Sequence, residues 1–150
     1  MRDAMGGTVV LVIIVVFIVI ALGYMAFNVN YTKAFRMRNK IVSVYNAYDG
    51  ECLSDCQTEI KKYASSIGYS IGNGALNCPD SSYSIDGNKL YCYKAVDIAH
   101  KTNEDSYDIE GVYYKIVTKI DVKVPIINNA LNLRVLYITG DTKTFKRAFK

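Results

Sequence analysis

Residues 9–27 read VVLVIIVVFIVIALGYMAF, 19 positions without a charged side chain, and no charge occurs anywhere between Asp3 and Lys33. At a helical rise of about 1.5 Å per residue the run spans roughly 28 Å, close to the hydrocarbon thickness of a bilayer. Valine and isoleucine are mediocre helix formers in water. In lipid every backbone N–H and C=O must be bonded internally, so the helix is imposed. Tyr24 and Tyr31 stand where aromatic rings favour the membrane interface. The run is longer than the apolar core of a cleavable signal, about 7–15 residues, and no small-x-small site follows Phe27. It therefore reads as an uncleaved, single-pass signal anchor.

Charge is distributed unevenly along the 150 residues. Residues 49–150 carry 13 basic and 13 acidic side chains, and Arg2 cancels Asp3, so the net +4 belongs to Lys33, Arg36, Arg38 and Lys40. A nucleic-acid-binding domain needs a basic face on its folded part. Here the basic cluster borders the apolar run instead, and the four residues are expected to contact anionic lipid headgroups. No nucleic-acid partner is expected.

The helical pattern continues past the membrane. Tyr24, Phe27, Tyr31, Phe35, Arg38, Val42, Tyr45 and Tyr48 follow one another at spacings of three and four, with Asp49-Gly50 as a stop signal. One helix over residues 9–48 would be roughly 60 Å long, half anchor and half stalk. A kink or loop near Asn28 to Asn30 is the competing expectation. The expected organisation is an anchor and stalk, residues 1–50, followed by a globular head, residues 51–150.

In the head, residues 54–67 read as a short helix with a Ser54/Gln57 capping box and a face formed by Cys56, Ile60, Tyr63 and Ile67. Asp86-Gly87 is a hairpin signal, and residues 90–98 follow as a strand. From Val112 to Val124 the pattern has period two. Val112, Tyr114, Ile116, Thr118 and Ile120 form the buried face, and Tyr113, Lys115, Val117 and Lys119 form a wet one. Leu133, Val135 and Tyr137 begin another strand, Gly140-Asp141 a further turn, and residues 142–145 a short last strand. The expected fold class is α+β: a long N-terminal helix, a short second helix and an antiparallel meander of three or four strands whose apolar face the helices cover.

Cys52, Cys56, Cys78 and Cys92 fall within 41 residues, as in oxidised exported domains. Their spacing matches neither a zinc finger nor C-x-x-C, so disulfides are expected rather than a metal or a redox pair. Three pairings are possible. Proximity favours Cys52 with Cys56 and Cys78 with Cys92, provided that Cys52 precedes the helix, because an i,i+4 bridge on a regular helix is awkward. The positive-inside rule, taken alone, places the head in the cytosol. The cysteines, and the short N-terminal tail, favour export to the cell surface.

Motifs of catalysis are missing: no Walker sequence, G-x-S-x-G, H-E-x-x-H or G-x-G-x-x-G occurs. His100 lies in a polar stretch read as a loop and has no recognisable nucleophile partner. Glu104, Asp105, Asp108 and Glu110 lack EF-hand spacing and read as a solvated acidic loop rather than a calcium site. Asn30-Tyr31-Thr32 has the glycosylation pattern but sits against the bilayer. No enzyme activity, cofactor or metal is expected.

An apolar helix near the N-terminus, continued as an amphipathic stalk (residues 8–48) and followed by an antiparallel sheet (residues 112–145), resembles type IV pilin-like subunits. Among these it is most similar to TadE-like minor pilins and pseudopilins. The resemblance implies that Gly7, in Gly6-Gly7, ends a leader and is followed by cleavage. The fifth residue after it is Val12, where the family carries glutamate. It also implies a structural role in a pilus-like or secretion-related surface assembly, with self-association or related subunits meeting through the N-terminal helix. Ala21 and Gly23 permit close packing there. The rival expectations are a membrane-tethered binding or sensing module and a cytosol-facing adaptor.

Overall fold

The structure, a computed structural model, describes residues 2–71, 76–103, 106–120 and 136–146, with side chains from Gly6 onward outside residues 100–110. The fold is α+β, as its periodicities indicate: a long apolar helix, a short helix and an antiparallel sheet. Helix α1 is Arg2–Ala47 and α2 is Ser54–Ser66. The strands are β1 (Ser84–Ile85), β2 (Cys92–Asn103), β3 (Ser106–Ile120), β4 (Leu136–Asp141) and β5 (Phe145–Lys146). The described residues form two compact units, one up to Tyr31 and one from Thr32 onward.

The first unit is the apolar part of α1. The helix has no break at Asn28 to Asn30, where the Asn28 side-chain amide donates to the Tyr24 carbonyl at 2.9 Å. Phe27 and Tyr31, one turn apart, stack with ring centroids 6.3 Å apart.

In the second unit the sheet order is β1-β2-β3-β4, with β5 also on β3. All pairings are antiparallel. The end of α1 lies on the face carrying Ile116, Thr118 and Ile120, and there it buries Ala34, Met37, Ile41, Val44 and Tyr45. This stripe sits beside the aromatic one expected from the sequence. Tyr45 is common to both, but Phe35 and Tyr48 are exposed, and Phe35 instead carries the Arg38 guanidinium over its ring at 4.8 Å. The smaller Ala34 lets the helix backbone come close enough for the fully buried Thr118 hydroxyl to donate to the Ala34 carbonyl at 3.2 Å. That bond removes the cost of a hydroxyl on an apolar face.

Helix α1 ends through Asp49 and Gly50, both at positive φ, and the Gly50 N–H returns to the Tyr45 carbonyl at 2.9 Å. A Cβ at Gly50 would meet the Phe145 ring at 2.9 Å, so glycine is required for space as well as for conformation. Helix α2 buries Cys56, Ile60 and Ala64. The expected capping box is not formed. Leu53 is the N-cap and Ser54 already belongs to the helix, so no side-chain oxygen reaches the orphan donors.

The second face of β3 is not wet at its centre. Val117 is buried with Cys92 and Leu76, and Ile71, Cys78, Tyr83 and Tyr137 pack against them. The cover is an irregular segment, tied to β2 by the Cys78–Cys92 disulfide and to β4 by Tyr137, whose hydroxyl donates to the Asn77 carbonyl at 2.6 Å. Two other expectations change. Asp86-Gly87 opens a longer turn, in which the buried Asp86 carboxylate accepts from the N–H groups of Asn88, Leu90 and Tyr91. Gly140-Asp141 is no turn: Asp141 pairs with Lys115, and after residues 142–144 Phe145 pairs with Val112. The register moves by one, so β4 and β5 are one edge strand broken by a bulge. Thr142 bridges the bulge, since its Oγ1 accepts from the Tyr114 N–H and its own N–H donates to the Tyr114 carbonyl.

Candidate functional site

The apolar segment is the first candidate. It belongs to a helix, Gly6–Ala47, that is long and apolar enough to cross a membrane, with mean hydropathy 3.2 over its most apolar 18 residues. Only 6% of that window is buried. Val9 through Ile18, Ile20, Leu22, Tyr24 and Met25 are at least half exposed, as in a surface that meets lipid. Gly7 lies within this helix, and a Cβ added there would touch nothing. Asn30 and Thr32 are helical as well.

The four basic residues that follow have different surroundings. Lys33 donates to the Gly68 carbonyl at 3.3 Å, beside the end of α2. Lys40 forms an ion pair with Glu59 at 2.6 Å and lies 5.8 Å from the centre of the Tyr63 ring. Arg38 crosses Gly140, where a Cβ would collide with its side chain, and its buried Nε has no hydrogen-bond partner among the described residues. Arg36 is exposed. Three of the four side chains are thus engaged within the head, each on a different neighbour, because successive helix positions point about 100° apart.

The cysteines pair as proximity favours. Cys52 bonds Cys56 across a Cα–Cα distance of 5.1 Å, and Cys78 bonds Cys92 across 5.8 Å. The first bridge forms because Cys52 lies two residues before α2, outside the regular helix. Both bonds are structural ties: one holds the α1–α2 connection and the other holds the cover over β2.

A further feature carried no sequence motif. Beyond the end of α1 the sheet face is left open as a groove of about 790 Å³, floored by Ala95, Val112, Tyr114 and Phe145. Tyr48, Asp49, Glu51, Asp97 and Lys146 also line it. Tyr114 and Gly50 also line an adjoining chamber of about 170 Å³, with Tyr45, Tyr91, Tyr93 and Gln57. The Tyr45 and Tyr91 hydroxyls share one hydrogen bond of 3.2 Å and their rings meet edge-on. Burial pushes the Tyr45 hydroxyl up to about 12, against the opposing hydrogen bond from Tyr91, and burial raises Tyr91 as well. Both phenols therefore stay protonated at neutral pH. Tyr45 of α1, Tyr91 just before β2, Tyr93 of β2 and Tyr114 of β3 have no common spacing, so only the fold reveals their convergence.

His100 lies in β2 rather than a loop, its backbone paired with Asp108 of β3, and Glu110 is also in that strand. Glu104 and Asp105 lie outside the described residues, as do the side chains of His100, Asp108 and Glu110. Among the described residues no group of three His, Cys, Asp or Glu could hold a metal ion. Comparison of the chain with protein-family models, curated proteins and solved structures finds no match.

Proposed function

We propose that this chain is a single-pass, membrane-anchored structural subunit of a pilus-like or secretion-related surface system, with its head outside the cell membrane. The observation that supports this reading is the pairing of an exposed apolar helix with a head that holds all four cysteines in disulfides. Such a helix has no stable place in water. Disulfides of this kind persist in oxidising compartments. On this reading the apolar helices of several subunits pack together in lipid through van der Waals contact. Arg36 is the cation best placed to meet headgroups, since its three neighbours are engaged within the head.

The test is to treat intact cells with a mild reductant and then with a membrane-impermeant maleimide. Labelling of Cys52 and Cys78, the less buried member of each bridge, before lysis is expected. Labelling only after lysis would leave a cytosol-facing adaptor instead. Shearing the cells then separates a subunit from a solitary tethered sensor, because an assembled subunit is recovered with its fellows in the sheared fraction. The mass of the mature chain shows whether cleavage follows Gly7.

A further inference from the structure

We draw no further inference here: the strongest candidate, the sheet face left open beyond the end of α1 with Ala95, Val112, Tyr114 and Phe145 on its floor, is an unpartnered apolar surface, and nothing in the structure shows what covers it.

Discussion

Helix α1 holds two stretches of one chain with opposite burial. From Val9 to Met25 nearly every side chain is apolar, and most are at least half exposed, all round the helix. From Thr32 onward only one stripe is apolar, and it is buried: Ala34, Met37, Ile41 and Val44 are at most 2% exposed. A helix that is apolar all round has no side to turn toward water, whereas one with a stripe has a core to face and a wet side to keep. The difference teaches that hydrophobicity alone does not say what a helix packs on. Its angular distribution does. The first stretch leaves its burial to the surroundings, and the second finds it in the sheet.

The largest expected effect is a matched pair of substitutions that exchanges these roles. Ile41→Asp places a carboxylate at a fully buried position, at a cost on the order of 4 kcal/mol or more, comparable with the whole stability of a small domain. The head should lose its cooperative thermal transition while the chain stays in the membrane fraction. Ile14→Asp puts the same group in the exposed stretch, costing roughly 2.5–3.5 kcal/mol of insertion. It should leave the head's transition in place and increase extraction by alkaline carbonate. Equal loss of the head's transition in both variants would mean that the first stretch is packed inside protein, and the comparison would break.

Periodic elements were legible before the structure. The alternation through Ile116, Thr118 and Ile120 marked a buried strand face, and helical spacing marked both helices. What periodicity misses is burial made by irregular chain. Val117 looked wet because its neighbours Lys115 and Lys119 are charged. Its cover around Leu76 and Cys78 has neither period two nor 3.6, and only the bond to Cys92 brings it there. Gly140 looked like a turn because glycine usually marks one. Here glycine is needed inside β4 so that Arg38 can cross the strand. The groove and chamber were illegible for a related reason: their rings come from α1, β2, β3 and β5 and from the chain just after α1 and just before β2.

Disulfide removal sharpens the contrast at the next scale, since it acts on the head alone. Cys78 and Cys92 are 14 residues apart, and replacing both by serine should cost about 3 kcal/mol through the freed denatured chain. It should also expose the Val117 face, read as faster hydrogen exchange at Leu76 and Tyr83. The bridge between Cys52 and Cys56 closes a loop of four residues' separation, and its removal should cost less, about 2 kcal/mol. Membrane retention should change in neither variant. A larger loss for the shorter loop would show that the α1–α2 connection, not the cover, limits the stability of the head.

The smallest effect is the pH response of the buried phenols, again confined to the head. Tyrosine in the unfolded chain ionises near pH 10, while Tyr45 keeps its proton to about 12 because burial disfavours the phenolate. Above pH 10 the unfolded state therefore binds fewer protons than the folded one, and stability falls as pH rises. Below pH 10 the protonated pair contributes its full share, and that share is lost through the window from about 10 to 12. Tyr45→Phe removes both that phenol and its bond to Tyr91, so the head should be less stable at pH 8 by about 1 kcal/mol, and its thermal midpoint should fall less steeply toward pH 12. Tyr24→Phe serves as the control, because Tyr24 is exposed and has no place in the fold of the head. If Tyr24→Phe flattened the alkaline limb as much as Tyr45→Phe, the limb would not come from the buried pair, and the two stretches of α1 would differ less in their chemistry than in their packing.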